Sequence, residues 1–186
     1  MRYFTRLLTL AALGVATASC GDVARSGRAP VFLVIDELPA PVRSDVSVTR
    51  GESGTVLLRI SPKNIIPSAL PSPSANNEVT ITRYHVAYRR ADGRNVQGVD
   101  VPYGFDGAST VTVPASGSAT LGFTLVRDVA KREAPLVQLL NNPTVITTIA
   151  DVTFYGQDLV GNEINATGSV QVDFGNFTPS SSQQGQ

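Results

Sequence analysis

One cysteine, one histidine and no tryptophan stand in a chain of 186 residues. A single Cys excludes an internal disulfide, a cysteine-ligated zinc cluster and an iron–sulfur centre. A single His, at position 85, excludes a polyhistidine metal site. It lies mid-strand, out of phase with Tyr84, Val86 and Tyr88, where it reads as an exposed strand residue and not as the base of a catalytic triad. Charge is also scarce. Only 16% of residues are charged, and 15 Lys and Arg balance 15 Asp and Glu. That rules against a basic nucleic-acid footprint and against an acidic solvating tail. No phosphate loop or dinucleotide fingerprint is present. Hydrophobic residues make up 42% of the chain, ample for the core of one domain.

The first twenty residues carry an address. Arg2 and Arg6 precede a short apolar stretch, Leu7, Leu8, Leu10, Ala11, Ala12, Leu13, Val15 and Ala16, interrupted only by Thr9 and Gly14. This run is too short to span about 30 Å of hydrocarbon comfortably, and small residues follow it directly, as in an export signal. Two processing routes fit. Ala16-Thr17-Ala18 suits ordinary signal cleavage before Ser19. Thr17-Ala18-Ser19-Cys20 resembles the lipobox of bacterial lipoproteins, in which the Cys becomes the acylated first residue of the mature chain. The only Cys sits at the end of the signal, and Gly21-Asp22 open a polar segment. The resemblance implies a membrane anchor through lipid on Cys20. With Gly21 after the Cys, it implies outer-membrane placement in a bacterial cell envelope; an unlipidated chain would be a soluble periplasmic or secreted protein. Removal of residues 1–19, which hold two Arg and no acid, leaves 13 basic against 15 acidic side chains. The expected organisation is a signal over 1–19, a lipidated Cys and flexible tether over 20–30, one folded domain over 31–177 and a disordered tail over 178–186.

Within that domain a period of two dominates. Val56, Leu58 and Ile60 share one face, as do Leu121, Phe123 and Leu125, and Val170, Val172 and Phe174. These patterns predict half-buried strands. Val31 to Leu38 is nearly continuously apolar and reads as a strand covered on both faces. From Glu78 to Arg90 the inward phase switches between Ile81 and Tyr84, which predicts a bulge near Thr82-Arg83. Ile146, Ala150, Val152 and Phe154 are the inward set of Thr144 to Gln157. Shorter strands are expected at Asp45–Thr49, Gly98–Phe105 and Thr110–Val113, with turns at Asp92-Gly93, Asp106-Gly107, Ser116-Gly117 and Gly161-Asn162. Pro135 suits the first turn of a short helical insertion near 128–141, with Lys131, Arg132 and Glu133 exposed. Eight or nine strands in about 150 residues predict an all-β fold, a sandwich with a closed barrel as the alternative.

Ile81-Thr82-Arg83-Tyr84-His85-Val86-Ala87-Tyr88-Arg89-Arg90-Ala91-Asp92-Gly93 resembles the third strand of fibronectin type III and immunoglobulin-like domains, an aromatic-x-apolar-x-aromatic strand running into an acidic-Gly turn. Asp151 to Glu163 is similar to the penultimate strand and hairpin turn of bacterial immunoglobulin-like domains. The resemblance implies an antiparallel immunoglobulin-like β-sandwich whose last strand is Ile164 to Phe174. Fold alone does not imply activity.

No catalytic residues are assigned. Asp36-Glu37 point to opposite faces of a strand, and Asp100, Asp106, Asp151 and Asp173 lie on separate strands and turns. The residues require no cofactor. Calcium is the ion that an alternative reading would admit, through Asp158, Asn162 and Glu163 in one hairpin turn. Tyr103, Phe105, Tyr155 and Phe177 are the aromatics available to a sugar platform. The segment 62–77 carries four prolines and the large apolar residues Ile65, Ile66 and Leu70, which a solvated linker would not need. It is therefore the expected docking segment for an envelope or extracellular protein, unless those residues cover the edge of their own core. The expected function is a non-catalytic envelope lipoprotein working as a structural or protein-interaction module. The alternative is an exported module that binds carbohydrate or calcium through one loop end.

Overall fold

Alternation of apolar and polar residues in runs of up to thirteen builds two facing sheets. The structure is a computed structural model and describes residues 28–63 and 75–177. The expected signal, Cys20, most of the expected tether, Ile65, Ile66, Leu70 and the tail from 178 lie outside the described residues. Within them the strands are β1 (Val31–Glu37), β2 (Val42–Asp45), β3 (Glu52–Pro62), β4 (Val79–Arg89), β5 (Phe105–Val113), β6 (Ser118–Val126), β7 (Ile146–Asp158) and β8 (Glu163–Gly175). One sheet has the order β1-β3-β6, the other β2-β8-β7-β4-β5. All neighbours are antiparallel except β2, which runs parallel to β8. The fold is an all-β sandwich.

The chain changes sheets between β1 and β2. Leu38 and Pro39 make that crossing over Gly168 and Gly54, where a Cβ would collide with the Leu38 and Pro39 side chains. Residues Val56, Leu58, Leu121, Phe123, Leu125, Val170, Val172 and Phe174 are buried between the sheets, as their spacing requires. Tyr84 sits among Phe105, Phe123 and Phe154, with ring centroids 5.8 to 6.4 Å from its own. Two core tyrosines also bond across the sandwich. The Tyr84 hydroxyl accepts the Thr124 N–H at 2.9 Å, and the Tyr88 hydroxyl donates to the Leu125 carbonyl at 2.6 Å. Burial pushes the Tyr88 hydroxyl pKa up, against the opposing charge of Arg127. The register of β4 slips between Ile81 and Arg83 against both neighbours, at the predicted phase switch. Opposite it, Gly156 is packed so tightly that a Cβ would lie 2.6 Å from the Thr80 carbonyl oxygen.

Several expectations are corrected. β1 is an edge strand and is not covered on both faces: Val31 and Leu33 are buried, whereas Phe32 is 54% exposed with the Lys63 ammonium 5.1 Å from its ring centroid. The strand expected at Asp45–Thr49 lies three residues upstream, because Asp45 turns the chain by accepting the Ser47 N–H at 2.9 Å. Gly98 to Gly104 forms a folded loop held by Gly98 N–H to the Val101 carbonyl, and strand β5 begins only at Phe105. Asp106-Gly107 is strand, not turn; Gly107 is needed there because the Tyr84 ring occupies the place of a side chain. The helical insertion is two 3-10 turns, Val129–Arg132 and Leu136–Asn141, with Pro135 just before the second.

Lys131 is the largest departure. It is 2% exposed, and its ammonium donates to the Asp45 carbonyl at 2.9 Å, the Val48 carbonyl at 3.2 Å and Glu52 Oε1 at 2.9 Å. Its aliphatic stem fills the core edge while its charge ties the β6–β7 connection to the β2–β3 loop.

Candidate functional site

The sandwich has two unlike ends. At one end β1 begins, β3 finishes and the β7–β8 hairpin turns: Val31 pairs with Pro62, the Lys63 N–H donates to the Pro30 carbonyl at 2.9 Å, and Gln157 pairs with Glu163. Because the expected tether over 20–30 would enter the fold here, it is named the tether end. A groove of about 220 Å³ there is lined by Val31, Phe32, Lys63, Glu163 and Asn165, among others. The opposite end gathers the connections 46–51, 90–104 and 127–145.

The metal-ligand candidates lie at the tether end, and the structure brings them together as a turn. Asp158 is buried; its Oδ1 accepts the Val160 and Asn162 N–H groups at 3.0 and 2.8 Å, and its Oδ2 accepts Asn162 Nδ2 at 2.7 Å. Both carboxylate oxygens thus hold the loop closed, and Glu163 stands in the ladder opposite Gln157. Among the described residues no group of three or more His, Cys, Asp or Glu side chains is arranged to hold a metal ion. Gly161, at φ +86°, completes the turn in the left-handed region that glycine enters without strain. Asp92 and Asn95 lie at the other end. There Arg94 and then Arg90 hold the Asp92 carboxyl well below the usual carboxylate range.

Asp158 forces its two followers outward. Leu159 is 60% and Val160 71% exposed at the tip of the hairpin. Turn tips ordinarily carry Gly, Asn, Asp, Ser or Pro. Sequence reasoning passed over this pair; the signal was two large apolar residues between a capping Asp and Gly-Asn. Among the described residues the other exposed large hydrophobics, Phe32 excepted, all fall on loops of the far end, including Val48, Val99, Tyr103 and Val137.

The carboxylates singled out from the sequence are engaged separately. Asp36 pairs with Arg59 at 2.7 Å, Asp106 with the His85 Nδ1 at 3.1 Å, and Asp151 with Arg89 at 2.6 Å and Ser169 at 2.6 Å. Asp173 accepts Thr147 Oγ1, and Asp100 accepts the Val96 N–H. Partial burial opposes ionisation of Asp151, yet the bonds from Arg89 and Ser169 and the Arg89 charge together keep its pKa lowered. A second groove, of about 270 Å³ beside Leu38, Pro39, Thr55 and Thr120, contains Glu37; neither groove brings two carboxylates together. Of the candidate sugar-platform aromatics, Tyr103 is exposed, Phe105 is buried, Tyr155 lies under Arg83 at 3.8 Å and Phe177 under Arg43 at 4.2 Å. Arg127 leaves its buried Nε without a hydrogen-bond partner, its guanidinium 4.8 Å from the Phe105 centroid. No helix among the described residues is long and apolar enough to cross a membrane.

Neither a family model nor a curated protein matches the chain. Among solved structures it is similar to a conjugative transposon lipoprotein from Bacteroides eggerthii, at 9% identity over 76% of this chain and 96% of that one, with a TM-score of 0.33. It is also similar to Spo0M, a sporulation control protein from Bacillus subtilis, at 9% identity over 76% of this chain and 48% of that one, with a TM-score of 0.29. Likenesses this remote carry no argument about activity, and the functional reading rests on the chain's own residues.

Proposed function

We propose that the chain is a bacterial envelope lipoprotein whose immunoglobulin-like sandwich is a non-catalytic interaction module, held to a membrane through lipid on Cys20. The observation that carries this reading is the position of the only cysteine, directly after the export signal and nine residues before Ala29, where the buried core begins. The strand order supports the immunoglobulin-like label: β4 and β7 neighbour each other at the centre of the larger sheet, and the first strand region divides between the two sheets. The carboxylates along the strands are each bonded to separate partners, Asp36 to Arg59 and Asp151 to Arg89 among them, which supports a non-catalytic reading, since acid–base work needs two titratable groups facing one space. Gly21 after the Cys supports outer-membrane placement over inner-membrane retention.

The test is the intact mass of the native protein extracted from membranes with detergent. A chain starting at Cys20 with the added mass of acyl chains is the expected result. A chain starting at Ser19 with no added mass would overturn the anchor and leave a soluble exported domain with a free thiol.

A further inference from the structure

We infer that the tether end of the sandwich docks on the lipid surface itself, with Leu159 and Val160 set into the boundary between headgroups and acyl chains. This rests on the anchor proposed at Cys20 and adds an orientation to it. Nine residue-to-residue steps lead from Cys20 to Ala29, and even fully extended they reach at most about 32 Å. Strand β7 alone has thirteen residues and spans roughly 40 Å, so an upright domain must keep the tether end toward the bilayer.

That end presents what an interface requires. Leu159 and Val160 project from a turn that three bonds to Asp158 hold in shape, so little ordering is lost on insertion. Phe32 stands exposed on the adjoining edge strand, with the Lys63 ammonium over its ring. An aromatic ring beside a long-stemmed cation suits the headgroup level. Ionic groups at this end are Arg28 and Lys63 against Glu78, Glu163 and the buried Asp158, with no excess of cations, so the attraction is apolar and needs no anionic lipid. Two aliphatic side chains give only weak binding to free vesicles. Tethering converts that contact into an intramolecular one at an effective concentration in the millimolar range, where weak contacts are populated.

The chain has no native tryptophan, so a single reporter is unambiguous. Val160→Trp and, at the opposite end, Val99→Trp are each placed in the full chain and purified with the native anchor. Each is then reconstituted in phosphatidylethanolamine–phosphatidylglycerol vesicles containing bromolipid. Emission at 160 is expected to be blue-shifted and quenched at least about twofold by bromolipid, with 99 unaffected. Equal, unquenched emission at both positions overturns the inference while leaving the anchor intact. A blue shift at 160 without bromolipid quenching also overturns it, and assigns the cover to protein, whether residues 64–74 or a partner. Should the mass show no acyl chains, the anchor itself fails, and the Cys20 thiol is coupled to a maleimide phospholipid instead. Quenching at 160 then retains a lipid-seeking end, and its absence removes that as well.

Discussion

Replacing Lys131 by Met is the sharpest test of how the far end is built. The substitution keeps most of the aliphatic volume and deletes the charge. It leaves the Glu52 carboxylate with the Ser44 hydroxyl at 3.4 Å in place of an ammonium, and removes one donor from each of the Asp45 and Val48 carbonyls. Removing one partner of a fully buried ion pair costs about 3–5 kcal/mol. Glu52 retains some contact with water, its side chain being 23% exposed, which places the expected loss near the lower bound, about 3 kcal/mol. Against a typical domain stability of about 5–15 kcal/mol this is a large fraction. Urea unfolding followed by far-ultraviolet circular dichroism measures it, comparing wild type, Lys131→Met, Glu52→Gln and the double variant. The double variant should recover about 1 kcal/mol or more relative to the sum of the singles, because the two side chains share one bond. A loss under about 1 kcal/mol for Lys131→Met, or strict additivity, would refute the reasoning.

Other substitutions probe the core and the sheet face. Tyr88→Phe should cost about 1–2 kcal/mol, since the buried Leu125 carbonyl loses its donor; an unchanged urea midpoint would count against that bond. Gly156→Ala drives a methyl into the Thr80 carbonyl at the β4 bulge and should cost about 1–3 kcal/mol, read as a lowered melting midpoint. Asp151 titrates with a lowered pKa in the folded state, so its contribution is present above the unfolded value of about 3.9 and fades as pH falls through the lower folded value. Asp151→Asn should therefore flatten the loss of stability below about pH 4, and an unaltered acid limb would contradict the assignment. Millimolar calcium should leave the melting midpoint unchanged, because the Asp158 oxygens already hold three donors; a rise of several degrees would restore the calcium reading of that turn.

The strands were legible wherever one face is buried and the other wet, because that asymmetry writes a period of two into the sequence. Even the bulge at Thr82-Arg83 was readable, as a change of phase. What misled was chemistry set by distant partners. Gly107 follows an Asp and so resembles a turn, yet its missing side chain answers to the Tyr84 ring on the neighbouring strand. Lys131 resembles a solvated helix residue, yet its acceptors lie 79 to 86 residues away. Val31 to Leu38 has the composition of a central strand, but Phe32 faces solvent beside the tether. The hairpin residues Leu159 and Val160 fell within a segment read for its turn signals, and only the hydrogen bonds of Asp158 reveal that they are held outward.

The bonds from Tyr84 and Tyr88 to β6 have a consequence for crowding. β6 ends the smaller sheet, and the edge of a sheet ordinarily offers bare N–H and C=O groups on which another copy can template. Here the N–H of Thr124 and the C=O of Leu125 are taken by hydroxyls arriving from the facing sheet, and the Ser109 hydroxyl takes the carbonyl of Gly122. The core aromatics therefore serve as edge guards. Molecules packed side by side would meet at this edge with three of its backbone groups already bonded, and a double Tyr→Phe change would free two of them for sheet extension and aggregation.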